Sequence, residues 1–137
     1  MSITNKQAGA LVRVRTPFKT GNGTVFAEYQ PSDSLKYVVY SYGYHFPMYI
    51  YHVPTGTWFG NSDKYSVTTA RHMSQCSPEQ VHVWLDTAGM QRIRNMPSRE
   101  LTAFSIRNEF PEYPKRAVDD IVRTIRILQG LQEGAQS

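Results

Sequence analysis

The densest run of chemically capable side chains lies between Asn61 and Gln75, reading Asn-Ser-Asp-Lys-Tyr-Ser-Val-Thr-Thr-Ala-Arg-His-Met-Ser-Gln. It offers hydrogen-bonding groups of many geometries. Lys64 and Arg71 add positive charge suited to phosphate or carboxylate, the lysine as a point charge and the arginine as a planar fork. The run holds few aliphatic residues, so packing alone does not explain it. It reads as an ordered loop at the rim of a β scaffold, with Asn61, Lys64, Tyr65, Arg71, His72 and Gln75 available to a ligand and at most one helical turn capped by Thr68. The plainer account is a long loop whose Ser, Thr, Asn and Asp side chains satisfy its own backbone.

A second concentration is aromatic. Tyr37, Tyr40, Tyr42, Tyr44, Tyr49, Tyr51 and Tyr65 are seven of the nine tyrosines, and Phe46, Trp58 and Phe59 fall among them. Aromatic rings on a sheet hold single-stranded nucleic acid by stacking, worth about 1–3 kcal/mol per base. Tyrosine also suits ordinary half-buried strands, and alternation puts Tyr40 and Tyr42 on one side and Tyr37 on the other, so some of these rings must be core. Tyr42, Tyr44 and His45 are the candidates for a binding surface from this stretch.

Catalysis has weaker support. His72 with Lys64 and Tyr65 would be the constellation of a small hydrolase or nuclease, but nothing in the spacing fixes a nucleophile beside a base, and a locally bonded structural histidine is favoured. There is no His-x-x-x-His pair, no cysteine ligand set and no acidic cluster, so no metal is expected. Phosphate-cradling glycine loops and nucleophile elbows are also missing, and no cofactor is expected. Asp119 and Asp120 read as a solvated first turn of a helix. Arg92, Arg94 and Arg99, and further on Arg116, Arg123 and Arg126, form loose basic patches able to touch phosphate.

The elements that must carry these groups come from patterning. Ala10, Val12 and Val14 alternate with Arg13 and Arg15 like a first strand, and Gly21-Asn22-Gly23 suits a hairpin turn. Strands are expected over Thr24–Tyr29, Lys36–Tyr42 and Met48–Val53, and Pro54-Thr55-Gly56-Thr57 reads as a turn before Trp58 and Phe59. Ser77-Pro78-Glu79-Gln80 resembles a helix start, but Val81 to Trp84 alternates, which favours a short extended piece. Asp86 or Thr87 should cap a helix from about Ala88 to Asn95 with Met90 and Ile93 buried. Leu101 to Arg107 fits either strand or helix. Pro114 opens a terminal helix to about Gly130, with Val118, Ile121, Val122, Ile125 and Leu128 at helical spacing. The expected fold is α+β, an antiparallel sheet of about four or five strands from the N-terminal half packed against C-terminal helices.

At 137 residues, with 40% hydrophobic and 19% charged, the chain is one domain, residues 1–137, with ends at about 1–8 and 131–137 expected to be mobile. No apolar run is long enough to cross a bilayer, Met1-Ser2-Ile3-Thr4-Asn5-Lys6 lacks the apolar core of a signal peptide, and Cys76 is alone, so a cytoplasmic protein with no membrane contact is expected. The net charge of +4 leans towards nucleic acid or an acidic protein surface. The wide apolar arc of the last helix, extended by Ile127 and Leu131, is core first and a homodimer seam second.

Tyr40-Ser41-Tyr42-Gly43-Tyr44-His45-Phe46-Pro47, then Trp58, then the run from Asn61 to Gln75 resembles a small domain family of unknown function carried largely by bacteriophages and other mobile elements. The likeness covers about residues 36–76 and extends to Leu85-Asp86-Thr87-Ala88-Gly89-Met90. It implies a phage context, hence a host-cell cytoplasm, and a functional polar motif, but no reaction. The expectation is therefore a phage-type accessory protein that binds nucleic acid without catalysis. The alternatives are a protein-binding inhibitor of a host defence or transcription complex, in the manner of an anti-CRISPR or host-takeover protein, and a small hydrolase or nuclease.

Overall fold

A computed structural model of the chain describes residues 3–63, 66–98, 101 and 103–136. The sheet follows directly from the Tyr- and Val-rich half of the sequence. Strands β1 (Phe18–Lys19), β2 (Val25–Gln30), β3 (Asp33–Ser41), β4 (Pro47–His52) and β5 (Thr57–Asn61) form an antiparallel meander. A sixth strand, β6 (Val83–Leu85), lies parallel to β5, and the sheet order is β1-β2-β3-β4-β5-β6. Parallel neighbours need a crossover. The chain from Ser62 to His82 supplies it and carries a helix. The α+β class and the packing of C-terminal helices on the sheet agree with the sequence; among the described residues the sheet has six strands, the expected antiparallel set plus one parallel edge strand.

Side chains of β3 alternate between two separate cores. Val38 and Tyr40 join Ile50, Phe59, Val83 and Leu85 on one face. That face is covered by α3 (Thr87–Asn95), α4 (Ala103–Glu109) and α5 (Lys115–Gln136), which contribute Met90, Ile93, Ile106, Val118, Ile121, Val122 and Ile125. Tyr37 and Val39 point the other way, to Val25, Ala27, Met48, Tyr49 and Trp58. The second face is covered by α1 (Asn5–Arg13) and α2 (Val67–Gln75), through Ala8, Val12, Met73 and Cys76. Cys76 is fully buried, and burial pushes its thiol up to about 12.

Several expectations are corrected here. The segment Ala10 to Arg15 is not a strand. Thr4 and Gln7 form a reciprocal capping box, with Gln7 N donating to Thr4 Oγ1 and Thr4 N donating to Gln7 Oε1, and this starts a helix that buries Ala8, Gly9 and Val12. Asn5 to Ala8, within the end expected to be mobile, belong to this helix. Asn61 to Gln75 is not mostly loop, because Ser66 caps α2 by accepting from Thr69 N. Of the stretch Leu101 to Arg107, the residues from Ala103 on are helical, and α5 continues past Gly130 to Gln136, so residues 131–136 are helical. Asp86 does cap α3, accepting from Gly89 N at 2.8 Å.

Candidate functional site

The β3–β4 connection carries three of the expected binding residues. β3 ends at Ser41, and Tyr42 then takes a left-handed backbone at φ 61, followed by Gly43 at φ 124. A bulky non-glycine residue in that region is costly and is held there by its surroundings. Tyr42 N donates to Thr24 O at 2.7 Å, Gln91 Nε2 to His45 O at 2.9 Å, and Arg94 Nη1 to Tyr44 O. α3 therefore clamps the tip from one side. From the other, the Tyr42 ring lies over the His72 imidazole of α2, with centroids 5.4 Å apart. Tyr42 is 52% and Tyr44 58% exposed, and His45 is also open to solvent. Tyr44 rests edge-on against Phe26 and Tyr40, and the nearby Glu28 charge raises its phenol above the usual range.

The polar run from Asn61 divides between two roles. Asn61 is buried and stitches strands together: its Nδ2 donates to Pro47 O at 3.0 Å and to Thr87 Oγ1 at 3.1 Å, while its Oδ1 accepts from Asp63 N at 2.9 Å. Asp63 Oδ2 accepts from Thr87 N and Ser62 Oγ donates to Leu85 O, which ties β5 to the start of α3. His72 is buried too, and its Nδ1 lies 2.8 Å from Ser41 Oγ. Burial, with the Arg71 charge beside it, lowers the His72 pKa, so the ring is neutral near pH 7. The Ser41 hydroxyl opposite it is 1% exposed, so this pair is closed in and unsuited to attack on a substrate. Gln75 is half-buried with its amide oxygen enclosed and unpartnered. What α2 offers to solvent is Val67, Thr68, Arg71 and Ser74. Lys64 and Tyr65 lie outside the described residues.

The aromatic sheet surface expected from the tyrosines is corrected by this geometry. Tyr37, Tyr40 and Tyr49 are buried, because helices cover both faces of the sheet. Among the described residues the large aromatics more than half exposed are Tyr42, Tyr44 and Trp84, all at the sheet's ends or edge. Trp84 had no signal in the sequence beyond its place in an alternating run.

A buried polar network also escaped the sequence reading. Lys36 is 1% exposed, and its Nζ donates to Arg94 O at 2.7 Å and to Met96 O, the carbonyls that end α3. Asp33 pairs with it at 3.4 Å and accepts from Ser98 N and Oγ. Burial pushes Asp33 upward, but the Ser98 hydrogen bonds and the lysine outweigh it and hold the carboxyl below its usual range. Ser98 O in turn faces His52 Nε2. The available signal was the period-2 register of β3, which places Lys36 on the same side as Val38 and Tyr40.

Among the described residues no group of three or more His, Cys, Asp or Glu could hold a metal ion, and no helix is long and apolar enough to cross a membrane. No protein-family model, curated protein or solved structure matches the chain.

Proposed function

We propose that this chain is a phage-type accessory protein that binds nucleic acid without catalysis, using the β3–β4 tip and the outer side of α2. The observation that carries the reading is the pair Tyr42 and Tyr44, held out to solvent on a clamped tip whose backbone is strained at Tyr42. Strain maintained at an exposed aromatic points to a use for that ring, and rings fixed before binding stack on bases with little ordering cost. Arg71 is exposed one residue along α2 from the His72 beneath Tyr42, where it can meet a phosphate, and His45 adds hydrogen-bonding capacity beside Tyr44. The phage context rests on the motif resemblance of residues 36–76.

Fluorescence anisotropy with short single-stranded DNA and RNA at several salt concentrations tests this. Affinity should fall steeply with salt. Tyr42→Ala with Tyr44→Ala should weaken it about tenfold or more, and Arg71→Ala should lower the salt slope by about one. Absence of salt-dependent binding to any strand sinks the reading. A second reading, a protein-binding inhibitor of a host defence or transcription complex, is favoured by Val67, which stands 78% exposed on α2. It predicts capture of one host complex, insensitive to nuclease and lost on Val67→Asp.

A further inference from the structure

A groove of about 470 Å³ lies on the far side of α2 from Tyr42, between that helix and the sheet-edge strand β6. One wall is Trp84, 54% exposed. The indole can lie against the sheet because residue 60 is glycine: a Cβ there would come within 2.8 Å of the ring and of Val81 Cγ1. Ala70 and Met73 of α2 supply apolar surface to the same groove. Among the described residues its lining contains no Asp, Glu, Lys, Arg or His, so these walls offer a charged group no counter-charge for the water it would lose.

The polar atoms around it are biased in one direction. Ser62 Oγ donates to Leu85 O, Ser77 Oγ donates to Pro78 O, and Tyr49 Oη donates to Met73 O. Those three hydroxyl hydrogens are engaged and their oxygens are left to accept, while the fourth hydroxyl of the described lining, on Ser74, is free to accept or to donate. Asn61, also in the lining, has its amide used by Pro47, Thr87 and Asp63. A flat, neutral ring carrying an N–H₂ group satisfies both features: its face stacks on Trp84 and its amine donates to the hydroxyl oxygens.

We propose that the groove between α2 and Trp84 receives a single unpaired nucleobase with an exocyclic amine, adenine or cytosine in preference to thymine or uracil. This rests on the nucleic-acid reading above and deepens it: Arg71 and Tyr42 hold the strand, and the groove selects a base along it.

Intrinsic fluorescence reads this directly, because Trp58 is 7% exposed and Trp84 is the solvent-facing indole of the two tryptophans. Deoxyadenosine and deoxycytidine decamers should quench the emission and bind about tenfold more tightly than a thymidine decamer. Trp84→Leu should abolish the quenching and level the three affinities. Gly60→Ala, which displaces the indole but keeps it, should weaken the preference, with folding of both variants checked by circular dichroism. Equal binding of all three strands, unchanged in Trp84→Leu, overturns the groove and leaves the nucleic-acid reading standing. If no strand binds, titration with free adenosine and cytidine decides: quenching lost in Trp84→Leu keeps the groove while that reading falls, and no quenching overturns both.

Discussion

His52 shows how one buried side chain can set the acid limit of a fold. Its Nε2 lies 3.2 Å from Ser98 O, which can only accept, so a neutral ring carries its proton there. Nδ1 then accepts from Thr55 Oγ1 at 2.7 Å, and Thr55 in turn accepts from Thr57 Oγ1 at 2.8 Å. Burial pushes the His52 pKa down to about 4 from an ordinary 6.5. Between these values the unfolded chain binds the extra proton and the folded chain does not, so stability falls as pH drops through that window and levels off below it. The loss from this residue amounts to about 3 kcal/mol. Urea midpoints measured from pH 7 to 4 should show that decline, and His52→Gln should flatten it; a variant that declines as steeply as the parent would place the acid sensitivity elsewhere. Lys36 is the companion case. Removing its ammonium strands Asp33 and two carbonyls at the end of α3, and Lys36→Met should cost about 3 kcal/mol in chemical denaturation. An equally stable variant would mean that a well-packed methyl thioether offsets the lost pair.

At the scale of elements, the sheet and the helices α3 and α5 were legible because each announces itself by periodicity or a cap. Asp86 before Met90 and Ile93, and the stripe from Val118 to Ile125, needed no tertiary information. α2 was illegible for a physical reason: the side chains it buries are Thr69, His72 and Met73, so its inward face carries one apolar residue and no hydrophobic stripe, although Ser66 and Thr69 do hold the capping geometry. α1 was hidden by an accidental alternation of Ala10, Val12 and Val14, of which Val14 proves 65% exposed. The exposed tip of Tyr42, Tyr44 and His45 was visible as a glycine-interrupted aromatic run, whereas Trp84 and Gly60 become partners only through the parallel crossover. The two helices missed by periodicity meet closely: a Cβ on Gly9 would stand 2.5 Å from the Gln75 carbonyl oxygen. Gly9→Ala should therefore destabilise the fold by about 1–3 kcal/mol despite the better helix propensity of alanine. Ser66→Ala should cost about 1 kcal/mol. Thermal or urea melts of both variants check the pair, and a stabilised Gly9→Ala would show that α1 and α2 can slide apart.

For the molecule as a whole, the sheet is a partition shared by two cores, one under α1 and α2 and one under α3 to α5. The central strands β2 to β5 contribute to both, so neither core can dissolve without exposing the backs of the same strands. Met48→Ala on one side and Ile93→Ala on the other should each cost about 2–5 kcal/mol and shift a single unfolding transition seen alike by near- and far-ultraviolet circular dichroism. Two separated transitions would mean that the layers melt independently. The partition also isolates the one sulfhydryl. Cys76 sits at 0% exposure with its thiol held in the protonated form up to about pH 12, so at neutral pH it is neither accessible nor nucleophilic. The native chain is thus chemically blank towards maleimides and iodoacetamides, and a cysteine engineered at Arg71 or Tyr44 would take a dye or spin label alone, turning each side of the tip into an addressable ruler for whatever settles there.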